Sequence, residues 1–209
     1  MDIRGAPDSA KGENEAMAGR IITVRHGKPA LSRGVLISAT GYGAWWDKYD
    51  ESGLHPGQTP PTHLTHLAKN AAVVFSSIMP RAHETALALV AGEKPVEASP
   101  LFIEAPLPPP PWPDWMKLSP RLWGVISRLY WINGYGLPGM EDRAATWARV
   151  DEIIGRLAAH TVEGDVVLCA HGYLNWMISR RMATHNWTCT DHRGGNKYWS
   201  WRLYQPVST

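Results

Sequence analysis

The sequence predicts an α/β fold, a largely parallel sheet with helices on both faces, and three observations carry that expectation. Three short apolar runs, I-I-T-V at 21–24, A-A-V-V-F at 71–75 and D-V-V-L-C-A at 165–170, read as buried strands. Stretches with helical periodicity lie between and after them, and strands alternating with helices build parallel sheets covered on both sides. Each run also leads at once, or within a few residues, to a cation or a titratable ring: Arg25-His26-Gly27, Arg81 and His171-Gly172. Ligands of such sheets bind beyond the carboxyl ends of the strands, so three strand ends are expected to meet in one cationic pocket.

Composition sets the outer limits. A chain of 209 residues suffices for one well-buried domain, and 44% apolar with 19% charged residues is globular. A net charge of +2 gives no global electrostatic case for nucleic acid or a membrane surface. No apolar run approaches the ~20 residues that span a bilayer. The N-terminus lacks the apolar core of a secretory signal, so residues 1–19 read as a mobile tail and 20–209 as a single domain. Cys169, inside an apolar run, and Cys189 make no disulfide framework, which points to a reducing, cytoplasmic setting. The 11 tryptophans lie mostly outside the strand runs, where they would line a cleft, a lid or an interface, a homodimer's included.

In order, the first strand ends at Gly27, and residues 40–52 form a helix with Trp45, Trp46 and Tyr49 clustered, stopped by Gly53. Residues 54–63 are a Pro/Gly loop, and His63 and His66, with no further ligand nearby, read as exposed rather than metal-bound. The second strand leads to Pro80, which opens a helix that ends at Gly92. Arg81 then lies in its first turn, where unpaired N–H groups already favour an anion. Residues 96–104 are extended and end at Glu104. The run A-P-L-P-P-P-P-W-P-D-W after it suits neither helix nor central strand, so about 105–140 is a stiff Pro/Trp-rich insertion, a rigid crossing or a lid, with an apolar helix over 121–132. A long helix over 141–160, the third strand, a helix over 173–183 and a last strand in K-Y-W-S-W-R-L-Y complete the chain.

The residues at the strand ends define a chemistry. Guanidinium forks match non-bridging phosphate oxygens, and positive neighbours keep a histidine neutral and nucleophilic at pH 7. Such an imidazole can attack phosphorus and form a phosphohistidine, with the same cations stabilising the transition state. A carboxylic acid must then protonate the leaving oxygen and later activate water.

Together, V-R-H-G, S-S-x-x-x-R-A-x-E-T-A and A-H-G, in that order and each closing a strand, resemble the histidine phosphatase superfamily, its phosphoglycerate-mutase-like branch. The resemblance spans about residues 20–180. It implies a three-layer α/β/α sandwich and a metal-independent phosphatase of small phosphate monoesters that needs no cofactor. It implies His26 as the phosphorylated nucleophile, with Arg25, Arg81 and His171 completing the phosphate pocket beside Gly172. Glu104, in L-F-I-E, matches the position of the proton donor; Glu51, Asp114 and Glu141 are alternatives, and Glu84 is structural. Ser32 stands where family members often carry a phosphate-contacting asparagine, and Arg33 comes next to it. The Pro/Trp insertion replaces the basic, glycine-rich stretch of true mutases. Trp45, Trp46, Trp112 and Trp115 suggest a substrate with an apolar or aromatic body. A mutase-type phosphotransferase and a non-catalytic module that binds a phospholigand or protein are the competing readings.

Overall fold

Strand β1 (Ile21–Arg25) alternates between two cores: Ile21 packs into one hydrophobic cluster, Ile22 and Val24 into another. This is the period of two that a strand buried on both faces shows. In this computed structural model, which describes residues 19–207, β1 pairs in parallel with β4 (Val166–Ala170). Next come β2 (Val73–Ser77) and the short β3 (Glu97–Ser99), also parallel. On its other side β1 pairs antiparallel with β6 (Trp201–Pro206), which carries the edge strand β5 (Trp187–Arg193). The strand order is β3-β2-β4-β1-β6-β5.

Helices α5 (Arg143–His160) and α6 (Gly172–Arg181) cover one face, packing Val150, Ile153, Ile154, Leu174 and Met177 against Ile21, Val166 and Leu168. On the other face α2 (Thr62–Asn70) and α3 (Pro80–Val90) set Leu64, Ala68, Ala86 and Leu89 against Ile22, Val74 and Val167. The result is the three-layer α/β/α arrangement. A third cluster, Ala39, Tyr42, Trp45, Tyr49 and Trp123, joins α1 (Ala39–Asp50) to α4 (Pro120–Ile132). Ile154 is fully buried in the first core. Ile154→Ala should therefore cost about 2–5 kcal/mol, read as a lower urea midpoint at unchanged slope.

The expected elements form, with differences that have local causes. The second strand extends two residues further, because Ser76 Oγ pairs with His83 Nδ1 and Ser77 Oγ with His171 Nε2, each at 2.9 Å. Helix α2 occupies the end of the expected 54–63 loop and the residues beyond it; its buried contacts, Leu64 and Ala68, are spaced four apart among threonines and histidines. Strand β5 is exposed after Trp187, so its T-C-T-D-H-R carries no apolar alternation. The last strand starts at Trp201 rather than Lys197, because Trp199 turns at φ +60°. The extended 96–104 run is broken by a 3₁₀ turn over Pro100–Phe102. Of the expected tail at 1–19, all but Gly19 lies outside the described residues.

Candidate active site

Parallel register brings the strand ends level, with Arg25 opposite Ala170 and Ser76 opposite Cys169. His26 and His171 therefore come directly after neighbouring strands. The His26 N–H donates to Ala170 O at 3.0 Å, and the two rings lie edge to face with centroids 5.4 Å apart. Both are buried. His26 Nδ1 is 2.7 Å from Gly27 O. A carbonyl only accepts, so the proton sits on Nδ1 and the lone pair on Nε2, the nitrogen left for attack. The R-H-G turn is tied to α3, since Gly27 N donates to Thr85 Oγ1 (2.9 Å) and Thr85 Oγ1 donates to Arg81 O (2.6 Å). A Cβ on Gly27 would come within 2.6 Å of the Trp199 ring, which explains glycine there.

Burial, then the positive fields of Arg81 and Arg25, hold His26 well below the ordinary histidine value; burial and Arg81 do the same to His171. Both imidazoles are neutral at pH 7. Arg81 sits in the first turn of α3 as expected, 1% exposed. It donates through Nη1 to Tyr49 O (2.8 Å) and through Nη2 to Asp50 Oδ1 (3.0 Å). Burial raises the Asp50 carboxyl, and Arg81 opposes that shift. Arg25 donates to Asn196 O and lies 5.0 Å from the centre of the Tyr198 ring. Among the described residues, the Nε atoms of Arg25, Arg33 and Arg81 and Nδ1 of His171 are buried with no hydrogen-bond partner. Buried donors are rarely left so, and a tetrahedral oxyanion is a group that would satisfy several at once.

Glu104 lies on the Arg25 side of this group. Its Oε1 accepts from Leu174 N (2.8 Å) and Ala105 N (3.0 Å), and its Oε2 from Tyr173 N (3.1 Å). The carboxylate thus stands at the start of α6, next to Gly172 and in the cleft that Arg25 also lines. Arg149 fixes the approach to it, donating from Nη1 to Leu101 O and Ile103 O while Nε and Nη2 pair with the Glu141 carboxylate, all at 2.8–3.0 Å. Glu141 is therefore a structural partner. Asp114 accepts from Thr40 N at the start of α1, and Glu84 accepts from Leu54 N. Glu51 is exposed. Of the four acids considered as donor, Glu104 alone lines the cleft. Gly172 has a steric role, because a Cβ there would sit 3.0 Å from Arg25 Cζ.

Ser32 is not brought to the pocket: it is exposed, and its Oγ accepts from Gly34 N at 3.1 Å. Its neighbour Arg33 lines the cleft instead. The cleft, about 490 Å³, is walled by Trp45 and Trp46 from α1, Val125 and Leu129 from α4, and Tyr173 and Trp176 from α6. Trp112 instead packs edge-on against Trp123 and donates to Tyr130 Oη, and Trp115 is 77% exposed. Neither lines the cleft. Three residues here escape a reading of the sequence: Tyr49, Arg128, stacked 3.8 Å over the Tyr173 ring, and Tyr198, 5.7 Å from His26. Tyr49 is visible only as one of a helical aromatic cluster. Tyr198 has no signal, since its turn is hidden inside an apparent strand.

Among the described residues, no three or more His, Cys, Asp or Glu side chains are grouped to hold a metal ion. His185 pairs with Asp151 at 2.9 Å, and Cys189 Sγ contacts Asp191 O.

No curated protein matches the chain by sequence. Among solved structures it is similar to the mycobacterial glucosyl-3-phosphoglycerate phosphatase, with a TM-score of 0.55 and 20% identity over 88% of this chain and 89% of that one. For the complex of that enzyme with VO3 the TM-score is 0.56, at 21% identity over 89% and 92%. A mycobacterial hydrolase gives 0.59, at 20% identity over 92% and 84%. At such identities the likeness is one of fold. The model of the histidine phosphatase superfamily (branch 1) matches residues 50–200, a stretch that holds Arg81, Glu104 and His171 and begins after the R-H-G turn. With most of its length inside that match and the same fold around it, the chain belongs to the histidine phosphatase superfamily.

Proposed function

We propose that the chain is a metal-independent phosphoric monoester hydrolase that works through a phosphohistidine at His26. Family and fold support phosphate hydrolysis. The observation that carries the mechanism is His26 itself: neutral, its Nδ1 proton held by Gly27 O, flanked by Arg25, Arg81 and His171. Nε2 attacks phosphorus and the ester P–O bond breaks. The Glu104 carboxyl passes its proton to the leaving oxygen, giving an alcohol and phospho-His26. The Glu104 carboxylate then takes a proton from water, whose oxygen attacks phosphorus as the P–N bond breaks. Phosphate leaves and the neutral imidazole returns. The guanidiniums of Arg25 and Arg81 meet the charge on the equatorial oxygens in both steps.

The substrate is a small phosphorylated metabolite with an apolar or aromatic body. A glucosyl-3-phosphoglycerate phosphatase is among the similar structures, which supports the first half of that statement. The aromatic walls of the cleft support the second. Free thiols at Cys169 and Cys189 suit a cytoplasmic setting, and no described helix is long and apolar enough to cross a membrane. Hydrolysis of p-nitrophenyl phosphate with a chelator present, together with an alkali-stable, acid-labile phosphoenzyme, tests the mechanism. Catalysis that a chelator abolishes would sink it.

The body of the substrate is tested separately. Trp46→Ala and Trp176→Ala should each lower kcat/KM for naphthyl phosphate about 10-fold, because a buried aromatic contact is worth about 0.5–1.5 kcal/mol beyond its area. Glycerol phosphate should be nearly unaffected. Equal losses on both substrates would remove the aromatic preference.

A further inference from the structure

The phosphate pocket contains a guanidinium that neither strand ends nor family motifs supply. Arg33 comes from the loop between β1 and α1, donates through Nη2 to Tyr49 Oη, and lies with Cζ 4.7 Å from the centre of the Tyr49 ring. The Arg81 Cζ lies 4.4 Å from the same ring, and Arg81 Nη1 donates to the Tyr49 carbonyl. Tyr49, 1% exposed, is therefore a common platform for two guanidiniums. Aromatic rings hold guanidinium planes by stacking and by the field of the ring, and so fix their donors in direction.

The charges show what Arg33 adds. Arg81 is already neutralised by Asp50, and Glu104 stands beside Arg25 in the cleft. Arg81 and Arg25 are thus each close to a carboxylate, which weakens the pull of either on a phosphate dianion. Arg33, in no ion pair among the described residues, adds its charge to that of Arg25 in a cleft that Arg121 and Arg128 also line. Its Nε is buried without a partner, as are the Nε atoms of Arg25 and Arg81, while the neighbouring Ser32 has turned its hydroxyl to Gly34 N. The field of Arg33 reaches both Arg25 and His26 and lowers the proton affinity of each.

We infer that Arg33 is a third phosphate-binding guanidinium of this site, held in place by Tyr49 as its positioning residue, and that it takes over the contact expected of Ser32. This assignment rests on the phosphatase reading of the pocket. Helix α1 thereby gains a role beyond packing: its last turn aims two of the three guanidiniums.

The test uses the full chain, with inorganic phosphate as the probe. Arg33→Gln should raise the KM for p-nitrophenyl phosphate and the inhibition constant for inorganic phosphate together, by about 10- to 100-fold, as for loss of a hydrogen bond to a charged group. kcat should fall less. Arg33→Lys should recover part of both constants, and Tyr49→Phe, which keeps the ring and loses the hydroxyl, should give a smaller rise of the same kind. Ser32→Ala should leave both constants unchanged. If native protein and His26→Ala prove equally active, the phosphatase reading falls. If His26→Ala is inactive and Arg33→Gln binds phosphate like the native protein, that reading stands and the assignment of Arg33 is overturned. Should the native protein turn over no test substrate, calorimetric binding of inorganic phosphate to Arg33→Gln decides the role of Arg33 in the same way.

Discussion

His26→Ala is expected to abolish phosphatase activity, with kcat reduced by at least about 10⁴-fold, since in the proposed mechanism it removes the covalent nucleophile and so disables the whole catalytic unit. No trapped phosphoenzyme should form. Equal turnover by native and substituted protein would assign the activity to another site. The pH dependence adds an independent check. Burial and the fields of Arg81 and Arg25 hold His26 well below the ordinary histidine value of about 6.5. Its nucleophilic form therefore persists as pH falls from 7 through 6, and the acid limb due to His26 should lie well under that of an exposed histidine. The same depression has a cost in stability, and its sign is fixed. Below about pH 6.5 the unfolded chain binds protons at His26 and His171 that the folded chain does not, so stability falls as pH falls. His26→Ala removes one of the two contributors. Urea midpoints between pH 7 and pH 5.5 should thus decline less for His26→Ala than for the native protein.

The strand ends are legible because a buried parallel strand needs few features to be recognised, and the residues just after it must lie at the sheet's carboxyl edge. For Arg25, His26 and His171 that alone suffices, and register then sets His26 and His171 side by side just past adjacent strands. Arg81 needs the additional rule that proline opens a helix. Glu104 comes from resemblance, and the structure shows why no local pattern would have found it: Arg149, 45 residues further along the chain, and the N–H groups of Tyr173 and Leu174 hold it in place. Arg33 and Ser32 illustrate the opposite limit. Which of two adjacent loop residues faces a pocket depends on a partner across space, here Tyr49, and loop sequence does not record it. The tryptophans divide in the same way. Trp45 and Trp46 are placed by helical spacing, whereas Trp112 and Trp115 sit in a proline-rich run without a period, which leaves their directions open. One turns to Trp123 and the other to solvent.

Glu104→Gln should separate proton transfer from architecture. With a poor leaving group such as an alkyl phosphate, kcat should drop by about 10²–10⁴-fold, the usual contribution of a positioned general acid. With p-nitrophenyl phosphate, whose leaving oxygen needs little protonation, formation of the phosphoenzyme should be much less affected. A purely structural role predicts something else. Glu104 accepts three backbone N–H groups, two of them at the start of α6 and the third from Ala105, and glutamine can replace only one of its two oxygens as an acceptor. The substitution therefore leaves an N–H facing an amide donor, at a cost of about 1–3 kcal/mol. That loss would lower the urea midpoint and would depress all substrates alike, whatever their leaving group. A fall in stability is thus expected on either view. The ratio of alkyl to aryl phosphate turnover decides between them, because only a proton donor makes that ratio depend on residue 104. An unchanged ratio would leave Glu104 as the cap of α6 and move the search for the acid to Asp50. That carboxylate is raised by its burial and held 3.0 Å from Arg81.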